Sequence, residues 1–226
     1  MCRGAKLSHL PGMIIETFEA GPVATNGYLV ADKRGGQAVV IDAPQGVTSL
    51  LIDQAAEWKT PIVYLLNTHA HWDHFLDNAE LIRRTGAKFG IRRESAPLLA
   101  VPQTRFFGLD LDVEPSKPDF FLEEGIPFVV GDLRFDVLHC PGHCPGSVVL
   151  FERNERAAFV GDVLFAGSIG RTDLPGGDLD TLIASIQNKL WPLGDDVRVF
   201  PGHGPVTTIG EERRGWSSKP WGHLSG

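Results

Sequence analysis

The sequence predicts an α/β fold: two strand-rich halves stacked as a sandwich, helices on the outer faces, and a functional site along one edge. Three observations carry this reading. Short apolar runs bounded by Gly, Pro, Asn and Asp turn residues recur in two stretches, Ile14 to Ile91 and Phe128 to Phe200. Two segments, Val47 to Trp58 and Leu179 to Leu193, carry apolar residues at helical spacing. Five of the eight histidines stand just beyond predicted strand ends, where loops on a rigid scaffold commonly carry chemistry.

In chain order, Ile14 to Phe18, Tyr28 to Ala31 and Ala38 to Asp42 read as a meander, with a turn at Asp32 to Gly36. Val47, Leu50, Leu51, Ala55 and Trp58 make one face of an amphipathic helix that Pro61 stops. Ile62 to Leu66 is a continuous apolar run, the mark of a buried strand, and it empties into Asn67-Thr68-His69. A helix over Leu76 to Thr85 and a strand over Lys88 to Ile91 follow, and Pro97 to Pro118 has no assignable element. Phe128 to Val130, Leu133 to Leu138, Ser147 to Glu152 and Ala157 to Val160 are strands, with His143 and Asp162 just beyond two of them. Leu179 to Leu193 is the second helix, and Val197 to Phe200 is a last strand leading into Pro201-Gly202-His203-Gly204-Pro205.

At 226 residues, with 42% hydrophobic and 22% charged residues, the chain fits one domain better than two. That domain is expected over residues 13–214, between an N-terminal extension (1–12) and a C-terminal tail (215–226), both read as loose. No segment approaches the roughly 18 consecutive apolar residues of a membrane helix, so no membrane association is expected. A net charge of -7 offers no attraction to polyanions, and no nucleic-acid partner is expected. Arg3 and Lys6 are followed by no apolar h-region, so a cytoplasmic location is the expectation. The three cysteines make no disulfide framework, and Cys140 and Cys144 read as small buried residues. His139 reads as a neighbour of the site or a surface residue, and His9 and His223 receive no role.

His69-Ala70-His71-Trp72-Asp73-His74 packs four metal-binding side chains into six positions. In an extended segment residues 69 and 71 point the same way and can meet one ion, while a turn lets Asp73 and His74 face a second. A lone histidine would read as a neutral side chain satisfied by hydrogen bonds; a cluster joined by His143, Asp162 and His203 reads as a metal site.

Thr68-His69-Ala70-His71-Trp72-Asp73-His74 resembles the T-H-x-H-x-D-H signature of the metallo-β-lactamase superfamily. Pro141-Gly142-His143, Gly161-Asp162 and Pro201-Gly202-His203 stand where its remaining ligands fall. Leu138 to His143, Gly161 to Phe165 and Gly170-Arg171-Thr172-Asp173 are similar to segments of its short glyoxalase II-like branch, the hydroxyacylglutathione hydrolase-like proteins. The resemblance implies an αββα sandwich of two mixed sheets with helices outside. It implies two divalent ions, with Zn2+ expected and Fe or Mn as alternatives: His69, His71 and His143 on the first, Asp73, His74 and His203 on the second, and Asp162 bridging. Asp73 and Asp162 are the expected catalytic carboxylates, and Asp42 is expected to support a ligand by hydrogen bonding. The expected activity is hydrolysis of small thioesters such as S-D-lactoylglutathione, by attack of a hydroxide held between the ions. Arg171 is the candidate grip on a substrate carboxylate, with a structural salt bridge as the alternative. Phe165, Phe106 and Phe107 read as core or pocket wall. The competing readings are a mononuclear iron persulfide dioxygenase and a non-catalytic metal-binding module. The oligomeric state is not readable from the sequence.

Overall fold

The computed structural model describes residues 3–100, 104 and 113–219, with backbone alone for residues 3–9. The first half comprises β1 (Arg3–Leu10), β2 (Met13–Ala20), β3 (Thr25–Ala31), β4 (Ala38–Ile41), α1 (Thr48–Trp58), β5 (Ile62–Leu66), α2 (Asn78–Thr85), β6 (Lys88–Ile91), α3 (Ala96–Ala100) and β7 (Phe120–Phe121). The second comprises β8 (Phe128–Val130), β9 (Leu133–His139), β10 (Val148–Glu152), β11 (Ala157–Gly161), β12 (Leu164–Phe165), β13 (Ser168–Ile169), α4 (Leu179–Ser185), β14 (Arg198–Pro201), β15 (Thr207–Thr208) and α5 (Ile209–Gly215).

Strands β1 to β7 form one sheet in sequence order, and a second runs β15-β14-β11-β10-β9-β8. Both are mixed. The first is antiparallel from β1 to β4 and parallel from β4 to β7, because α1 and α2 supply the crossovers that parallel strands require. In the second, β11 and β14 pair in parallel around α4, and the other pairs are antiparallel.

Three apolar layers follow from side-chain alternation along these strands. Leu29 and Val40 face α1 and α2 with Leu51, Trp58 and Leu81. Tyr28, Val39 and Ile41 face the other way and meet Phe135, Phe159 and Phe200 between the sheets. Val149, Val160 and Val199 pack under Leu182, Ile186 and Trp216. This is the expected αββα sandwich. Phe159 stacks on Phe200 at 5.0 Å, and Tyr28 meets Phe159 edge-on at 5.2 Å.

Within the described residues, the expectation of loose ends is corrected over 3–10 and 215–218. Arg3–Leu10 forms the edge strand β1, antiparallel to β2. An edge strand draws its hydrogen bonds from its neighbour, so its own sequence need show little alternation. At the other end Gly215 closes α5 and Trp216–Ser218 adds a 3-10 turn. Trp216 is buried in the layer over the second sheet, edge-on to Trp191 at 5.2 Å. The predicted Leu179 to Leu193 helix is regular only to Ser185; Ile186–Leu190 widens into a π turn, and Trp191–Leu193 tightens around Pro192. Phe106, Phe107 and His223 lie outside the described residues.

Candidate metal centre

The site forms where β4, β5, β9, β11 and β14 end on one edge of the sandwich. β5 stops at Leu66, and the chain bends at Thr68 and leads through an extended His71 into a single 3-10 turn, Trp72–His74. That turn sets the His74 ring 4.2 Å from that of His69 and 5.4 Å from that of His203. His143 comes from the loop after β9, Asp162 directly follows β11, and His203 lies beyond β14.

Among the described residues, three trios offer donor atoms within 4.8 Å of one another: His69, His71 and His143; His69, His74 and Asp162; Asp73, His74 and His203. His143 Nε2 lies 2.7 Å from His71 Nδ1 and 3.3 Å from His69 Nε2. Asp162 reaches both sides: Oδ1 is 3.3 Å from His74 Nε2, and Oδ2 is 3.5 Å from both His143 Nε2 and His203 Nε2. Asp73 Oδ2 stands 3.4 Å from His74 Nε2 and 3.2 Å from His203 Nε2. His69, His71, His74, His143, Asp73 and Asp162 are all buried, and His203 is half-buried.

The ring nitrogens and carboxylates are themselves held from behind. Asp42 ends β4 in a left-handed conformation (φ 58°), which a short carboxylate tolerates better than most side chains. It accepts from Thr68 N at 2.8 Å and Thr68 Oγ1 at 2.7 Å, and faces His74 Nδ1 at 2.9 Å. The carboxylate therefore leaves His74 Nε2 turned into the site. His143 Nδ1 donates to the Arg171 carbonyl at 2.7 Å, which aims its Nε2 inward in the same way. Thr25 Oγ1 donates to Asp73 Oδ2 at 2.7 Å. Gly202 is required by closeness: a Cβ there would lie 2.1 Å from Asp162 Oδ1 and 2.6 Å from His74 Cε1.

Electrostatics divide the donors into two kinds. Burial pulls His69 and His143 below the ordinary histidine value and takes His71 down to about 3, so these three are neutral, the metal-binding form. Burial also opposes charge on His74 and His203, but there the carboxylates prevail. Asp73, Asp162 and Asp42 raise His74 well above its usual range, and Asp162 and Asp73 raise His203 to about 10. Against the upward pull of burial, His74 leads in lowering Asp73 to about 2 and Asp162 well below the carboxylate range.

The donor set fits divalent ions. His74 Nε2 and Asp162 Oδ1 are buried without any hydrogen-bond partner, which is costly unless something cationic sits between them. Protons on His74 and His203 supply positive charge in the place a cation would take. The site opens into a cavity of about 160 Å³ lined by Val23, Trp72, Arg171 and Leu174 together with His71, Asp73, His143, Asp162 and His203.

The sequence profile of the metallo-beta-lactamase superfamily matches residues 20–203, from β2 to the last donor histidine. The chain belongs to the metallo-beta-lactamase superfamily. Within this superfamily it is 41% identical over 206 residues to the hydroxyacylglutathione hydrolase GloC of Haemophilus influenzae, covering 89% of this chain and 96% of that one. Among solved structures it resembles the BLEG-1 B3 metallo-beta-lactamase at 35% identity and a TM-score of 0.81, covering 94% of this chain and all of that one. It also resembles TTHA1623, solved in a di-iron-bound form, at 36% identity and a TM-score of 0.77, covering 87% of this chain and 96% of that one. The superfamily fold and the His/Asp cluster together imply divalent metal ions and hydrolase chemistry.

All seven predicted donors converge, and Asp42 joins them through His74. Arg171 lines the cavity, but its guanidinium is bonded to Asp173 through Nε and Nη2, both at 2.7 Å. Phe165 stands 6.0 Å from the His203 ring. His139 Nε2 bonds the Pro145 carbonyl away from the donors. Cys140 and Cys144 are buried, and burial pushes the Cys140 thiol up to about 12. Sequence reasoning missed Thr25, Asn26 and Tyr28. Their partners lie 48 or more positions away, and the only local signal is a polar Thr-Asn pair opening a fully buried strand.

Proposed function

We propose that the protein is a dinuclear metal-dependent hydrolase of small thioesters of the S-D-lactoylglutathione type. The observation that carries this reading is the position of Asp162 between two donor sets, one oxygen facing His74 and the other facing His143 and His203. His69, His71 and His143 would hold one ion, Asp73, His74 and His203 the other, with Asp162 shared between them. Two divalent ions bound there, with Zn2+ the expected metal, supply Lewis acidity that polarises a carbonyl and lowers the pKa of water toward about 7.

The rest of the chemistry falls to the chain. Neutral His69, His71 and His143 add no charge, so two aspartates against two divalent ions leave the site net positive and receptive to an oxyanion. Trp72, Val23 and Leu174 wall the cavity with apolar surface that seats an acyl group. A departing thiolate needs little protonation, which suits a site whose carboxylates are held ionised. The likeness to a relative named hydroxyacylglutathione hydrolase supports the same substrate class. The competing reading, a mononuclear iron persulfide dioxygenase, uses similar ligands, so metal content and the two activities separate the readings.

The test is elemental analysis of purified protein beside parallel assays with S-D-lactoylglutathione, glutathione persulfide and a β-lactam. Two metal ions per chain and turnover of the thioester are expected. A single iron with oxygen uptake on the persulfide, or no thioester turnover by fully loaded protein, would overturn the assignment.

A further inference from the structure

The second trio draws on two segments far apart in sequence, Asp73-His74 and His203, and one strand end touches both. Thr25, the first residue of β3, is fully buried. Its hydroxyl donates at 2.7 Å to Asp73 Oδ2, the same oxygen that faces His74 Nε2 and His203 Nε2. Its backbone forms an isolated antiparallel bridge with His203. The next residue completes the staple. Asn26 N donates to Gly202 O at 2.7 Å, and Asn26 Nδ2 donates to Pro201 O at 3.0 Å and Gly204 O at 2.9 Å. Tyr28 OH donates to Pro201 O at 2.5 Å. Among the described residues, no hydrogen bond joins Thr25 or Asn26 to His69, His71 or His143.

Each carboxylate oxygen carries two acceptor positions. The Thr25 hydroxyl occupies one on Asp73 Oδ2 and so fixes which way the other points. A buried β-branched residue in a strand has a restricted χ1, so the hydroxyl is delivered without an ordering cost at the moment of metal binding.

We propose that Thr25 is a positioning residue for the second ion alone, a role that rests on the two-ion reading above. It holds Asp73 Oδ2 in register with His203 across the two sheets, and occupancy of the second position depends on it while the first does not. Thr25→Val keeps the shape and removes the donor; Thr25→Ser restores the donor.

The experiment is a zinc titration of chelator-stripped wild type, Thr25→Val and Thr25→Ser against a chromophoric competitor, with elemental analysis after gel filtration and circular dichroism as the fold control. Wild type and Thr25→Ser are expected to retain two ions. Thr25→Val is expected to keep its first-ion affinity and bind the second about 10–100-fold more weakly, the usual cost of losing a partner that orients a ligand. Thr25→Ala, which lodges no second methyl group beside Asp73, carries the same expectation and replaces Thr25→Val if that variant does not fold. Two ions bound as tightly as in wild type, or equal weakening of both, refutes the role of Thr25 and leaves the two-ion reading standing. A wild type that binds one ion refutes that reading, and this role with it.

Discussion

Replacing Asp42 by alanine tests how the fold holds His74, a fully buried donor. Asp42 is 1% exposed and receives Thr68 N, Thr68 Oγ1, His74 Nδ1 and, at 3.3 Å, Asn67 Nδ2. Two of these have somewhere else to go. Thr68 Oγ1 already lies 3.1 Å from His69 Nδ1, and Asn67 Nδ2 also bonds the His74 carbonyl. Thr68 N and His74 Nδ1 do not, and each buried donor left unpaired costs about 1–3 kcal/mol. The expected loss is therefore about 2–6 kcal/mol, or roughly 4–24 °C in Tm for a domain of this size. Once the His74 ring is no longer oriented from behind, zinc affinity should fall about 10–100-fold as well. Urea denaturation of metal-free wild type and Asp42→Ala gives the first quantity, and chelator competition the second. Asp42→Asn, which keeps the volume and tolerates the left-handed backbone, should lose less than alanine. If Asp42→Ala loses under about 1 kcal/mol and binds zinc like wild type, Asp42 is a turn residue and the argument from buried donors is wrong.

Three further outcomes follow from the site. His203→Ala should take metal content from about two ions toward one and cut thioester hydrolysis severely, with circular dichroism unchanged; a variant that keeps near-wild-type hydrolysis with one ion would refute the two-ion mechanism. Arg171→Ala should raise KM for an anionic thioester more than for a neutral one if the guanidinium leaves Asp173 for substrate; equal effects would return it to a structural salt bridge with Asp173. Metal-free protein should be most stable near pH 6.5. Below that, His71, lowered to about 3, resists a proton that the unfolded chain accepts, and His69 and His143 shift the same way, so stability falls as pH drops from 6.5 toward 3. Asp73, lowered to about 2, adds a further loss below the unfolded carboxylate value. Above pH 6.5, His203 holds a proton that the unfolded chain gives up, so stability falls toward the pH of about 10 at which it titrates. Zinc-loaded protein should lack the alkaline limb, since the ion replaces that proton. Tm against pH with and without chelator measures both curves, and a metal-free Tm that rises steadily from pH 6.5 to 9 would contradict the assigned shifts.

How much was legible in the sequence depended on how local each signal was. Ala38–Ile41, Ile62–Leu66 and Ala157–Gly161 form within a residue of where the apolar runs place them, because buried strands need continuous apolar side chains. The edge and two-residue strands β1, β7 and β15 were not legible, since the neighbouring strand selects them. Helix α5 carried a readable sign that went unused: Thr208 and Glu211 form a capping box. Trp216, in a stretch rich in Gly and Ser, is buried only because α5 folds it back onto the second sheet.

For the site, the sequence alone singled out the seven candidate donors. His69, His71, Asp73 and His74 lie within one short segment whose spacing dictates which side chains share a face, and His143, Asp162 and His203 each follow a strand readable by its apolar run. Tertiary structure alone decided the arrangement that makes them a centre. It set the two oxygens of Asp162 toward different histidines, gave His74 a carboxylate behind its ring, and tied Arg171 to Asp173. It also brought Thr25 to Asp73 and Asn26 to the loop carrying His203, 48 and 175 or more positions apart. The physical reason is range: backbone periodicity and turn chemistry act over a few residues, whereas a hydrogen bond or a charge acts on whatever the packed sheets bring within about 3–4 Å.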